Sequence, residues 1–137
     1  MSDAPSMIVA DIGNSALKLA RATINERGEA QLKEAFRLPH GAVDDASLAA
    51  WAPQETQRWF IASVHQEKLH ALTSWVEKHR PDHSVCKLTC FDLDLQISVD
   101  APRKVGIDRL LSAVAANRRR SPQRAALTIT AGTAVTI

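Results

Sequence analysis

The spacing of apolar positions changes along the chain, and each change of period marks an element. Residues 7–12 form a short apolar run that predicts a buried strand. Residues 16–24 alternate, with Leu17 and Leu19 on one face and Lys18 and Arg21 nearer the other, which predicts a second strand. Gly13, Asn14 and Ser15 connect the two tightly, so the pair reads as a hairpin. A turn at residues 25–28 leads to a third strand over 30–38, and Pro39-His40-Gly41 ends the meander. Residues 44–51 read as a short helix with an acidic start. RWFIASV, residues 58–64, reads as a central strand. A helix over 66–79 follows, with Leu69, Leu72 and Val76 at helical spacing and Trp75 widening the stripe; Pro81 stops it. Strands are expected over 84–89 and 93–99. The clearest helix spans 105–119, with Ile107, Leu110, Leu111 and Val114 on one side. A strand over 125–130, a turn at 131–133 and a further strand from Ala134 complete the pattern.

Three strands followed by alternating helices and strands indicate an α/β fold with a mixed sheet. The apolar run that reaches Ile137 leads us to expect that the chain is the front part of a longer protein. Its 137 residues suit a compact domain, and 45% hydrophobic with 23% charged residues is an ordinary globular balance. No run approaches the ~18 apolar residues that span a bilayer. MSDAPSMIVA lacks a basic, then apolar, leader pattern, so a cytoplasmic location and no membrane partner are expected. Two cysteines make no disulfide framework. A net charge of +2 is too small to argue for nucleic acid, and no such partner is expected. The Arg118-Arg119-Arg120 run reads as the basic last turn of a helix, and stacking aromatics are few.

Three segments carry candidate chemistry. In DIGNS, residues 11–15, Gly13 permits a tight backbone and close approach of a phosphate to main-chain amides. Asn14 and Ser15 add neutral donors, Lys18 adds a positive charge, and Asp11 suits a Mg²⁺ brought in with a nucleotide. The same residues also suit an ordinary hairpin turn. Residues 131–134, AGTA, repeat the theme of glycine and hydroxyl at a bend, so the two turns could clamp one set of phosphates. In VGIDR, residues 105–109, Asp108 sits at a helix start beside Arg109. It reads either as a first-turn acid or as a general base kept charged by the arginine and the helix terminus. His79, His83, Cys86 and Cys90 share one window, but their irregular spacing does not suit zinc.

DIGNS at 11–15, GIDR at 106–109 and TAGTA at 130–134, with IASV at 61–64 and LLSAVAAN after GIDR, together resemble the type III pantothenate kinases over nearly the whole chain. The resemblance implies an RNase H-like domain of the actin/Hsp70/sugar-kinase superfamily, with a mixed sheet flanked by helices. It implies a first domain over 1–122 and the opening strands of a second over 123–137. A homodimer is implied as well. It further implies ATP-dependent phosphorylation of pantothenate to 4′-phosphopantothenate, the first step towards coenzyme A. Asp11, Ile12, Gly13, Asn14, Ser15, Ala16, Leu17 and Lys18 would hold ATP, with Asp11 near Mg²⁺, and Thr133 would also meet ATP. Gly106, Ile107, Asp108 and Arg109 would contact pantothenate, with Asp108 as the base.

Two positions depart from the family pattern. Thr130 stands where the family usually has the aspartate that binds a monovalent cation, K⁺ or NH₄⁺. A hydroxyl is a poorer ligand for such a cation than a carboxylate. Val99 stands where many members line the pantothenate site with tyrosine, and this chain has no tyrosine. Two alternatives stay open: another phosphotransferase of the superfamily, or a nucleotide-binding regulatory module without turnover. Residues 1–137 alone are expected to be inactive or nearly so, because half of the ATP cleft would lie elsewhere.

Overall fold

The computed structural model describes residues 6–39, 43–131 and 135–136. The chain divides into two compact units, residues 1–88 and 89–137.

The first unit is built on a five-stranded sheet in the order β3-β2-β1-β4-β5. β1 (Ser6–Ile12), β2 (Ala16–Ile24) and β3 (Ala30–Pro39) form the antiparallel meander that the alternation predicts. The turn between β2 and β3 needs its glycine, since Gly28 has φ 74° and its N–H donates to the Asn25 carbonyl at 2.9 Å. The Asn25 side-chain oxygen accepts from the amides of Arg27 and Glu29 and closes the same turn. β4 (Arg58–Ser63) then inserts parallel to β1, and β5 (Ser84–Lys87) lies parallel to β4. Parallel pairing requires a crossover, and α2 (Gln66–His79) supplies it between β4 and β5.

Cross-strand partners share a face. Ile8 therefore faces with Trp59, Ala10 with Leu19 and Ile61, and Ile12 with Leu17. All of these are buried, and they join Leu48 and Trp51 of α1 (Asp45–Trp51) and Leu72, Trp75 and Val76 of α2 in one core. Asp44 caps α1 by accepting from the Ser47 amide at 3.1 Å. Arg80, just past α2, fastens the two helices. Its guanidinium donates to the carbonyls of Pro53 (3.0 Å), Ala52 (3.2 Å) and Ala49 (3.3 Å) while lying over the Trp75 ring. Trp51 stacks on Phe36, with Arg21 over its ring, so α1 is anchored on β2 and β3. All three tryptophans lie in this unit.

The second unit opens with a 3-10 turn, Cys90–Asp92, held by a Thr89–Asp92 capping box. Another 3-10 turn, Pro102–Lys104, precedes α3 (Ile107–Arg119). Two expected strands differ here. Residues 93–99 alternate between half-buried and exposed positions as far as Ser98, yet they form no strand. Alternation shows that one side of a segment is covered, but a ladder also requires a partner strand, and the Leu95 N–H instead turns back to the Leu93 carbonyl at 2.8 Å. Of residues 125–130 only the last is in a strand. β6 (Thr130–Ala131) pairs antiparallel with β7 (Val135–Thr136), and Ala125, Ala126 and Leu127 are exposed. Gly132, Thr133 and Ala134, the expected second phosphate turn, lie outside the described residues. α3 starts two residues later than its apolar pattern suggests, because Gly106 takes the cap position.

Candidate functional site

In the first unit, the candidate residues gather where β1 and β4 end. Asp11 and Lys18 are cross-strand partners on the face opposite the core, and their side chains form an ion pair at 3.5 Å, each half-exposed or more. Ile12, Ala16 and Leu17 are buried and hold the hairpin end to the sheet. The Gly13 N–H donates to the Ala16 carbonyl at 3.0 Å, closing the turn. Gly13 does not take a positive φ, and a Cβ there would meet only the Ala16 oxygen, at 3.6 Å. The left-handed backbone allowed for at the sequence level is therefore not used. The turn itself accommodates a side chain, so what glycine supplies at this point is an open approach to the main chain. Asn14 and Ser15 are exposed at the tip.

The β4–α2 connection meets this turn. The Val64 N–H donates to the Ile12 carbonyl at 3.1 Å. Ser63 folds the connection tightly: its hydroxyl donates to the His65 carbonyl and accepts from the His65 N–H, both at 2.9 Å. His65 caps α2, its Nδ1 accepting from the Lys68 amide at 3.5 Å. The Lys68 ammonium then reaches over the turn and donates to the carbonyls of Asn14 (2.7 Å) and Gly13 (3.4 Å). Sequence reasoning missed this lysine. The signal was present as a cation in the first turn of a helix, where the dipole disfavours positive charge.

The two histidines of the histidine and cysteine window are held by structural bonds. The Trp59 indole N–H donates to His83 Nδ1 at 3.0 Å, which keeps that ring neutral with its proton on Nε2. Burial holds the His83 pKa below its ordinary value, helped by the positive charge of Arg80; the Glu55 backbone and Asp82 act the other way. His79 Nδ1–H donates to the Trp75 carbonyl at 3.0 Å. Cys86 and Cys90 are free thiols, and among the described residues no group of three or more His, Cys, Asp or Glu could hold a metal.

In the second unit, Gly106 leads into α3 with extended backbone, and its carbonyl accepts from Arg109 N–H at 3.1 Å. Asp108 is a first-turn acid, exposed beside exposed Arg109, while Ile107 and Leu110 turn inward. Helix periodicity thus separates the carboxylate from the apolar face, as the spacing predicts. Arg103 and Lys104 lie on the 3-10 turn just before it, and the Arg103 guanidinium lies over the exposed Phe91 ring. Val99 is half-exposed and Thr130 begins β6. The first unit therefore brings residues 11–18 together with Lys68, and the second holds Val99, Gly106, Ile107, Asp108, Arg109 and Thr130. Among the described residues no helix is long and apolar enough to cross a membrane.

In comparison with known proteins, the family model described as type III pantothenate kinase matches residues 7–137. Comparison with curated proteins found no match.

Proposed function

The chain belongs to the type III pantothenate kinase family, and on that premise we propose that it serves ATP-dependent transfer of a phosphoryl group to pantothenate. Its fold is the family's: an RNase H-like α/β arrangement of the actin/Hsp70/sugar-kinase superfamily, here with a five-stranded mixed sheet flanked by helices. The observation that carries the reading is the order of three motifs within the matched residues, DIGNS, GIDR and TAGTA.

Phosphoryl transfer asks a protein for positioning and charge neutralisation, with little covalent work. Residues 11–18 supply an exposed turn with main-chain amides, two polar side chains and Lys18, which suits the phosphates of ATP. The exposed Asp11 carboxylate would hold Mg²⁺, a hard cation that takes oxygen ligands and would supply neutralisation of phosphate charge. Asp108 accepts the proton of the pantothenate primary hydroxyl, and Gly106, Ile107, Arg109 and Val99 line the acceptor site. Thr133 meets ATP. Thr130 offers only a neutral hydroxyl, a poorer ligand for a monovalent cation than the usual aspartate. We also propose a division at residue 122 between a first RNase H-like domain and the start of a second, a homodimeric assembly and a cytoplasmic location.

The test is a direct assay of the full-length protein, carrying both halves of the ATP cleft, with ATP, Mg²⁺ and pantothenate, read by mass spectrometry. ADP and 4′-phosphopantothenate should appear in equal amounts. ADP with a different phosphorylated acceptor replaces this reading by another phosphotransferase. ATP binding without turnover replaces it by a regulatory module, the reading that Thr130 favours.

A further inference from the structure

We infer that Lys68, the third residue of α2, is a phosphate-binding and positioning residue for the nucleotide; this rests on the reading of the hairpin turn as a phosphate site. Two cations stand at that turn. Lys18 is paired with Asp11 at 3.5 Å, so part of its charge is already answered. Lys68 makes no ion pair among the described residues, and its ammonium is held by the two carbonyls of the turn, Asn14 at 2.7 Å and Gly13 at 3.4 Å. An ammonium carries three donors. Two are used on the turn, and the third is available to an acceptor resting on it.

The placement runs against local preference. The first turn of α2 favours an acid, which Glu67 provides, and a lysine beside it opposes the helix dipole. Positions that break a local rule concentrate at functional or strained sites. The arrangement sums two positive features at one place: the ammonium and the α2 N-terminus. The ligand class this suits is a polyphosphate, the anionic part of a nucleoside triphosphate. Carbonyl anchoring also fixes the lysine before the ligand arrives, so less side-chain freedom is lost on binding.

The experiment compares the wild-type protein with Lys68→Met and Lys68→Arg by calorimetry, using ATP, inorganic tripolyphosphate and adenosine as probes. Lys68→Met should weaken ATP and tripolyphosphate by about tenfold or more, as loss of a charged hydrogen bond to phosphate does. Adenosine should be unaffected, and Lys68→Arg should recover most of the loss. Equal tripolyphosphate affinity in wild type and Lys68→Met, or no binding by wild type, overturns the inference. A parallel measurement needs no variant: ATP should protect Lys68 of the wild-type protein from acylation, read by peptide mass, and unchanged labelling overturns the inference equally. Both readouts are independent of pantothenate. Tripolyphosphate binding through Lys68 without pantothenate phosphorylation leaves this inference standing and removes the proposed function. Phosphorylation with a fully active Lys68→Met does the reverse.

Discussion

A methyl group added at Gly13 would lie 3.6 Å from the Ala16 carbonyl oxygen, an ordinary contact, on a backbone that any residue can adopt. Gly13→Ala should therefore leave the thermal midpoint unchanged or raise it slightly, since the unfolded chain loses more freedom than the folded one. If the turn holds phosphates, the same variant should weaken ATP binding, because the methyl group occupies the approach to the main chain. Calorimetry with both readouts checks this, and weakened ATP binding together with a large loss of stability would make the glycine structural instead. His83 carries a second prediction. Its native pKa is depressed, chiefly by burial, so the unfolded chain binds more protons between the native value and about 6.5. The contribution is whole above about pH 6.5 and is lost as pH falls, since protonating Nδ1 also breaks the bond from Trp59. Midpoints measured from pH 7.5 to 5 should fall more steeply for wild type than for His83→Gln.

The elements were legible where periodicity and partners agree. β2 and α2 have the bounds that alternation and helical spacing give, because Leu17 and Leu19, or Leu72 and Val76, meet a core that rewards their period. Residues 93–99 show the limit: Leu93, Leu95 and Ile97 are half-buried on one side, but no neighbouring strand takes up their backbone groups. Strand pairing is a long-range property, and a local pattern cannot carry it. The α2 core can be tested by truncation. Leu72 is fully buried between the sheet and the helices, so Leu72→Ala should cost about 2–5 kcal/mol in chemical denaturation. Leu32→Ala, on exposed β3, should change stability little.

At the scale of the molecule, the motifs of the sequence fall on two compact units, 11–18 on one and 106–109 on the other. The hairpin and the helix start were legible because turn glycines and amphipathic helices leave local marks in the residue order. Lys68 was not, since its value comes from an approach across 54 residues of chain to the Asn14 carbonyl. If Asp108 is the base, Asp108→Asn should lower kcat by about 10²- to 10⁴-fold while the ATP Kd stays essentially unchanged. Steady-state kinetics with nucleotide calorimetry separates the two effects, and an unaltered kcat removes the assignment. Thr130 leads to a further expectation: exchanging sodium for potassium or ammonium should change turnover little, whereas Thr130→Asp should make the rate rise with potassium.

The distribution of indole rings has a practical consequence. Trp51, Trp59 and Trp75 all belong to residues 1–88, two on the helices and one on the central parallel strand. Intrinsic emission excited at the indole band therefore reports the melting of the sheet unit alone, while α3 contributes only to the far-ultraviolet dichroism. Denaturation curves recorded by the two optical signals can then be overlaid, and any gap between them measures how far the two units unfold as one cooperative body.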